Sequence, residues 1–362
     1  MQFGLSIDIG TVKAVRGLRI VATVAPGALI AAIGDSTVAG VSTGGGTSQI
    51  ANSWVSHFAN RLNAKGKRAT AQNRFGCASG TWAALLSMDS RVTSTGAWTQ
   101  SASLAPGGNA FGINNPAAAG SATISLGVCN KISVYWVNNT AGRIMDYAVD
   151  NGGPTGNLTT TGVYRIEKTE LAVPAGQHSI TFTQNTAHFV ILGVEAYNDV
   201  GGMPTRFYNL GISGGTSTQM IDNSDATAGR RAGYAYHAPD LSIIEGGIIN
   251  DWRQGIPVAT SKANLTTLVQ TLKAVKGGTG KVVLMTPVFD NGTLGNTANQ
   301  ELYVQAMREV AAEQGVPLID IRKAFRSFAY AQSQGWMSDD VHPSAAGYEF
   351  IASILEKVIA VG

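Results

Sequence analysis

The stretch Ala28-Leu29-Ile30-Ala31-Ala32-Ile33-Gly34-Asp35-Ser36 decides the fold of this chain. Its first six residues are continuously apolar, which is typical of a short strand buried on both faces of a parallel sheet. The glycine, aspartate and serine that follow end the apolar run abruptly. The stretch therefore predicts a buried strand that carries Ser36, a potential nucleophile, to the end of a sheet.

The chain on either side of its middle region alternates between helical stripes and short apolar runs. Such alternation indicates a parallel sheet covered by helices on both faces. The predicted elements are a helix with Trp54, Val55, Phe58 and Leu62, a strand at Leu241–Ile244, a helical stripe from Leu265 to Val275, a strand at Val282–Met285, a helical stripe from Leu302 to Val310, a strand at Pro317–Ile321 and a final helix from Tyr348 to Val358.

The middle region, from about Gly96 to Asp199, has a different pattern. Apolar residues recur there with period two in short runs, and turn residues such as Pro174-Ala175-Gly176 separate the runs. Several short strands at this spacing predict an antiparallel β-sandwich or jelly roll. We therefore expect an α/β domain in two parts, residues 1–95 (with 1–27 as an N-terminal extension) and 201–362, and an inserted all-β sandwich at residues 96–200. The runs are Ala122–Leu126, Lys131–Val137, Ile144–Val149, Val163–Ile166, Ser179–Thr183 and Phe189–Tyr197.

Composition excludes several classes of partner. The 362 residues include 44% hydrophobic and only 14% charged residues, with a net charge of +3, whereas soluble proteins average about 25% charged residues. The charge is too small to indicate nucleic-acid binding. Neither a membrane span nor a signal peptide is expected, because Arg19, Thr23 and Pro26 interrupt the longest apolar stretch. An uncharged polar surface without a signal peptide favours an extracellular or phage-particle location.

A second reactive segment, Asp339-Asp340-Val341-His342-Pro343, lies near the C-terminus. A serine hydroxyl is a weak nucleophile until a base removes its proton, and His342 is a suitable base if a carboxylate orients its ring. Asp339, three residues earlier, can turn back onto the imidazole within one loop. The sequence therefore indicates Ser36, His342 and Asp339 as catalytic residues. The two cysteines, Cys77 and Cys129, have no metal or redox spacing.

Three motifs together resemble the SGNH (GDSL-type) esterase family: Gly34-Asp35-Ser36, Gly247-Ile248-Ile249-Asn250-Asp251 and Asp339–Pro343, in this order. The resemblance covers both α/β parts of the chain but not the middle region. It implies a flavodoxin-like three-layer α/β fold and hydrolysis of acyl esters through an acyl-Ser36 intermediate. It also implies that the reaction needs no metal and no organic cofactor.

The same resemblance implies three donors that stabilise the oxyanion: the N–H of Ser36, a glycine N–H and the side chain of Asn250. The asparagine motif departs from the family pattern, since two residues instead of one separate Gly247 from Asn250. Two segments resemble the glycine block. Asn209–Gly214 matches it more closely and favours Gly214, while Arg74–Gly80 leaves Gly80 as the alternative.

Two other functional hypotheses remain open. Gly211-Ile212-Ser213-Gly214-Gly215 fits the Gly-x-Ser-x-Gly elbow of α/β-hydrolases, which would make Ser213 the nucleophile. Alternatively, the chain is a non-catalytic glycan-binding or structural phage-tail protein on a hydrolase frame. The sandwich-like insert favours acetylated polysaccharide as the substrate.

Two details of the sequence bear on that substrate. Small residues near the nucleophile, Gly34, Thr37 and Gly40, suit a short acyl pocket. Trp98, Trp136 and Trp252 are candidates for stacking on sugar rings, although core packing is the commoner role of tryptophan.

Overall fold

The structure is a computed structural model. It describes residues 20–42, 50–71, 82–101, 110–112, 120–150, 155–186, 188–227 and 229–362. Cys77 and the whole Arg74–Gly80 segment, with the alternative glycine Gly80, lie outside the described residues, as do the first 19 residues. In the described part of the chain, no helix has both the length and the apolar character needed to cross a lipid bilayer.

Strands and helices alternate at both ends of the described chain, and strands dominate its middle. The strands are β1 (Ala22–Val24), β2 (Leu29–Gly34), β3 (Ala69–Thr70), β4 (Val92–Ser94), β5 (Thr99–Ser101), β6 (Ala110–Gly112), β7 (Ser121–Asn138), β8 (Ile144–Val149), β9 (Thr155–Thr159), β10 (Arg165–Gln184), β11 (Ile191–Tyr197), β12 (Thr205–Gly211), β13 (Leu241–Ile244), β14 (Lys281–Met285), β15 (Leu318–Ile319) and β16 (Ile359–Val361). The helices are α1 (Ser36–Ala39), α2 (Trp54–Ala64), α3 (Trp82–Met88), α4 (Ser217–Met220), α5 (Arg230–His237), α6 (Ile248–Arg253), α7 (Val258–Gly278), α8 (Gln300–Gln314), α9 (Ile321–Phe325), α10 (Phe328–Ser333) and α11 (Ala345–Val358).

A six-stranded parallel sheet forms the centre of the α/β part, in the order β15-β14-β13-β2-β12-β3. Every residue of β2 and β13 is buried, which explains why their sequences are apolar without alternation. From β2 the chain passes to the edge strand β3, returns to β12 between β3 and β2, and then crosses to β13 on the other side of β2. The direction of the sheet order therefore reverses at β2, and ligands of open α/β sheets bind at such a reversal point.

Helices cover this sheet. The principal helix pairs are α2 with α11 and α7 with α8. Ion pairs reinforce the first of them, because Arg61 on α2 contacts both Glu349 and Glu356 on α11. The apolar residues of these helices join those of the sheet in one large core. The expected three-layer α/β architecture is confirmed.

One predicted strand is shorter than expected. The sequence indicates a strand from Pro317 to Ile321, but β15 contains only Leu318 and Ile319. The reason is local: the side chain of Asp320 accepts a hydrogen bond from the backbone N–H of Lys323 and caps α9. The N-cap aspartate ends the strand because the helix starts at the next residue.

The middle region forms one eight-stranded antiparallel sheet. Two pairs of predicted strands merge here. β7 covers both Ala122–Leu126 and Lys131–Val137, and β10 covers Ser179–Thr183 together with the second half of Val163–Ile166. The turn expected at Pro174–Gly176 is instead a break in register within β10. A β-bulge accommodates proline and glycine without ending the strand, which short-range turn signals do not distinguish from a hairpin.

A separate apolar cluster packs on this sheet, and it takes side chains from both halves of the long strands, including Ile124, Ile132 and Phe182. The sheet therefore wraps around a common core. The two-sheet sandwich and the domain boundaries at 96 and 200 remain predictions. Trp98 and Trp136 belong to this cluster, and Trp252 is buried in the larger core. All three tryptophans are thus core residues.

A buried polar network joins the antiparallel sheet to the parallel one. Glu195 on β11 is fully buried and accepts hydrogen bonds from Tyr135 on β7 (2.8 Å), Tyr208 on β12 (2.6 Å) and Arg206 on β12 (2.9 Å). One carboxylate thus satisfies donors from both regions. Because β11 continues into β12 through only a short connection, this network sets how the two sheets meet.

We predict that Glu195→Ala lowers the free energy of unfolding by about 3–5 kcal/mol, because Arg206 and two tyrosine hydroxyls lose a shared buried acceptor. Chemical denaturation measures this loss. The matched control is Glu170→Ala, which removes an exposed ion pair with Lys168 and is expected to cost no more than about 1 kcal/mol. Equal stability of the two variants would show that the network contributes little.

Candidate active site

Three segments of the predicted site begin at the carboxyl ends of three adjacent strands. β2 is hydrogen-bonded to β12 on one side, with Gly34 paired to Gly211, and to β13 on the other, with Ile33 paired to Ile244. In a parallel sheet, neighbouring strands end at the same edge. The segments that follow these strands, which carry Ser36, Gly214 and Asn250, therefore begin side by side.

Ser36 is the first residue of α1. The preceding Asp35 caps this short helix, its side chain accepting from the backbone N–H of Thr37 at 2.9 Å. The Oγ of Ser36 lies 3.0 Å from Nε2 of His342. Ser36 retains 6% exposure, so the hydroxyl is held in place within a nearly enclosed turn.

The His342 ring is oriented by the loop that precedes α11. Nδ1 lies 2.7 Å from Oδ2 of Asp339, and Oδ1 of the same carboxylate accepts from the backbone N–H of His342 (2.6 Å) and of Val341 (2.8 Å). Burial acts to raise the pKa of Asp339, but these hydrogen bonds outweigh it and the pKa is lowered. An ionised carboxylate on Nδ1 leaves Nε2 free to accept the proton of Ser36.

Ser213, the alternative nucleophile, lies in the turn after β12. The imidazole of His342 contacts Ser36, and among the described residues no histidine forms a hydrogen bond with Ser213. In addition, α4 begins only at Ser217, after a cap at Thr216, whereas a nucleophile elbow passes directly from strand to helix. The structure thus brings Ser36, His342 and Asp339 together and leaves Ser213 apart.

Two of the three expected oxyanion donors, Gly214 and Asn250, lie on segments that contact each other. Asn250 Nδ2 donates to the carbonyl of Gly215 at 3.1 Å, and a Cβ at Gly247 would meet the same carbonyl oxygen at 2.7 Å. The backbone N–H groups of Ser36 and Gly214 have no acceptor among the described residues. Unpaired N–H groups beside a nucleophile are the donors that an oxyanion requires.

Several residues that position this site escaped the sequence analysis. Asn209 on β12 donates to the carbonyl of Val38 at 2.9 Å and ties α1 to the sheet. Asp251 accepts from the backbone N–H of Ser217 at 2.9 Å and ties α6 to α4. Asn209 and Asp251 lie inside motifs in which neighbouring residues carry the predicted function. Neither contact joins residues that are close in sequence.

Thr37 and Glu245 were also missed as partners. The Thr37 hydroxyl is 2.9 Å from Asp35 Oδ1 and 2.5 Å from Glu245 Oε2, so its side chain faces the interior. Thr37 was expected to suit a short acyl pocket; its hydroxyl is instead engaged in this internal contact. A signal for Glu245 was present, because this carboxylate directly follows the apolar strand Leu241–Ile244. The described residues contain no cluster of three or more His, Cys, Asp or Glu arranged to hold a metal ion.

Comparisons with known proteins identify a matching family and similar folds. The sequence model of the GDSL-like Lipase/Acylhydrolase family matches residues 192–350. This segment contains Gly214, Asn250, Asp339 and His342, and it ends within α11. A solved structure of a peptidoglycan O-acetylesterase superposes with a TM-score of 0.67 at 19% identity, covering 91% of this chain and 90% of its own. It shares the fold of this chain.

Other solved structures match with lower TM-scores. A family two carbohydrate esterase from Cellvibrio japonicus is 13% identical with a TM-score of 0.30, covering 73% of this chain and 96% of its own. A lipase/acylhydrolase from Enterococcus faecalis is 24% identical with a TM-score of 0.35, covering 42% of this chain and 74% of its own. A search of curated proteins found no significant match.

We predict that Gly211→Ala destabilises the protein by about 1–3 kcal/mol or more, because overpacked groups must displace their neighbours. A Cβ at Gly211 would lie 2.2 Å from the backbone nitrogen of Ala39, so α1 and with it Ser36 must move. Thermal and chemical unfolding measure the effect. In the control Gly176→Ala the nearest atom is 3.7 Å away, and a change within about 1 kcal/mol is expected. If both variants unfold alike, β12 and α1 are less tightly packed than described.

Proposed function

We propose that the chain, which is a carboxylic-ester hydrolase of the SGNH/GDSL type, removes short acyl groups, principally acetyl, from carbohydrate through an acyl-Ser36 intermediate. The observation that carries the proposal is the continuous contact from Ser36 Oγ to His342 Nε2 (3.0 Å) and from His342 Nδ1 to Asp339 Oδ2 (2.7 Å). A serine, a base and an orienting carboxylate in this order are the parts that acyl transfer needs.

In the first half-reaction, Ser36 Oγ attacks the ester carbonyl carbon while His342 Nε2 takes the hydroxyl proton. The carbonyl oxygen becomes an oxyanion. As the tetrahedral intermediate collapses, the C–O bond to the alcohol breaks and the imidazolium returns its proton to the leaving alcohol oxygen. Asp339 stays ionised and stabilises the imidazolium, in accordance with its lowered pKa.

In the second half-reaction, water attacks the acyl-serine with His342 again as the base. Collapse of this intermediate releases the carboxylic acid and returns the proton to Ser36. The oxyanion of both steps is assigned to the N–H groups of Ser36 and Gly214 and to the side chain of Asn250. Each preorganised donor of this kind contributes about 10²- to 10³-fold in rate.

The substrate assignment has two supports. The structurally similar peptidoglycan O-acetylesterase acts on acetyl esters of a glycan polymer, as its name states. The chain also carries a large antiparallel sheet region, fastened to the α/β region by Glu195, which offers a surface for a polymer. Acetylated polysaccharide is therefore the partner that we assign.

We predict that Ser36→Ala reduces hydrolysis of 4-nitrophenyl acetate to the background rate, while Ser213→Ala remains close to the wild type. The reason is that, of these two serines, Ser36 has the imidazole of His342 within hydrogen-bond distance. The measurement is the steady-state rate for both variants, with circular dichroism to verify folding. Loss of activity in Ser213→Ala alone would assign the reaction to the α/β-hydrolase elbow instead.

We predict acetate release from O-acetylated peptidoglycan or acetylated xylan, and slow hydrolysis of 4-nitrophenyl decanoate. The control substrates are the same polysaccharides after alkaline removal of their acetyl groups, and the control enzyme is Ser36→Ala. Efficient cleavage of the decanoate without acetate release would contradict the carbohydrate assignment. Glycan binding without turnover by the wild type would favour the non-catalytic binding protein.

A further inference from the structure

Two buried carboxyl groups approach each other beneath the nucleophile through a single hydroxyl. Thr37 Oγ1 lies 2.9 Å from Asp35 Oδ1 and 2.5 Å from Glu245 Oε2. Asp35, Thr37 and Glu245 are each at most 2% exposed. Glu245 also packs against the turn itself, because a Cβ at Gly34 would lie 3.0 Å from its Cβ.

Proton counting assigns the direction of these bonds. A threonine hydroxyl carries one hydrogen and donates only one hydrogen bond. Asp35 Oδ1 already accepts from the backbone N–H of Thr37, which stabilises an ionised carboxylate, so we assign the hydroxyl hydrogen to Asp35 as well. The contact with Glu245 then requires a proton on the glutamic acid, which donates to Thr37 Oγ1.

The surrounding charges favour the same assignment. Burial raises the pKa of Glu245 well above its ordinary value and the neighbouring Asp35 raises it further, while the contact with the Thr37 hydroxyl acts in the opposite direction. Burial also raises the pKa of Asp35, which Thr37 and His342 lower and Asp251 raises. Burial and the nearby carboxyls of Glu245, Asp35 and Asp339 raise the pKa of Tyr348 on α11. Two carboxylates so close share one proton.

We propose that Glu245 is a positioning residue, a permanently neutral acid that fixes the nucleophile turn by donating to Thr37, which in turn donates to Asp35. Ser36 lies between these two residues in the chain, so both of its neighbours are held by the same proton relay. This role rests on Ser36 as the proposed nucleophile. Glu245 is thus a carboxylic acid that performs this role in its uncharged form.

The proposal determines the sign of a pH effect. In the unfolded chain Glu245 ionises near the ordinary value of 4.5, whereas in the folded protein it stays protonated to a higher pH. Above pH 4.5 the folded state therefore binds more protons than the unfolded state, and its stability falls as pH rises until Glu245 ionises in the folded protein as well. A glutamine at this position has no proton to lose and avoids this loss.

The test compares Glu245→Gln with Glu245→Met by thermal unfolding between pH 5 and pH 9 and by kcat and KM for 4-nitrophenyl acetate. We expect the Tm of Glu245→Gln to gain on the wild type as pH rises, and its kcat to stay within about threefold. Glu245→Met, without a donor, is expected to lose about 10- to 100-fold in kcat with little change in KM. The slope of the Tm difference with pH decides the protonation state.

Two further variants guard against a purely structural effect. Thr37→Ser keeps the hydroxyl and is expected to retain kcat, whereas Thr37→Val removes it and is expected to resemble Glu245→Met. The control Glu309→Gln alters an exposed glutamate that pairs with Lys262. The pKa of Glu309 is lowered by this pairing, so the Tm difference between this variant and the wild type must not rise with pH.

Two outcomes overturn the proposal. If Glu245→Gln is as impaired in kcat as Glu245→Met, an ionised glutamate is required. If the Tm difference does not increase with pH, Glu245 is not a neutral acid in the folded protein. Unfolding is measured without substrate, so its results are independent of the nucleophile test. A fully active Ser36→Ala would show that Ser36 is not the nucleophile. The unfolding data would still decide whether Glu245 is protonated.

Discussion

Parallel hydrogen bonding along both edges of β2 is the constraint on which the rest of the structure depends. It continues past the strand ends, because Gly34 O accepts from Ile212 N–H and Ile33 O accepts from Glu245 N–H. The segments that carry Gly214 and Asn250 therefore start at the same edge of the sheet as the turn that carries Ser36. A slip of one residue would turn every side chain of β2 to the other face of the sheet and separate Ser36 from His342.

Around this turn, carboxyl groups of the same chemistry acquire opposite character from their surroundings. Asp339 is half-buried and accepts three hydrogen bonds, which lower its pKa. Asp35 and Glu245 are fully buried and share one hydroxyl, and burial raises the pKa of both. The charge of Asp339 is thus retained where an imidazolium must be stabilised, whereas the buried pair shares one proton. The depth of each group below the surface separates the two cases.

Motifs with strong local signals were predictable from the sequence. The apolar strands and the residues Ser36, Asp339 and His342 are indicated by sequence signals within a few positions, and the structure brings these three side chains into contact. Contacts over long sequence separations were not predictable. Asn209 reaches Val38, and Thr37 reaches Glu245, across separations of 171 and 208 residues. Nor did local turn signals reveal that β7 and β10 continue through irregular register.

The position of the antiparallel region in the chain has a consequence for the order of folding. The backbone of Leu29 bonds to a residue 211 positions later, and both neighbours of β2 follow the antiparallel region in sequence. During synthesis, the antiparallel region can pair its strands while β2 still lacks both partners. The fully buried strand β2 thus waits with two open edges, a state that favours aggregation and slows folding. How quickly β12 and β13 emerge to cover β2 sets the length of this exposure.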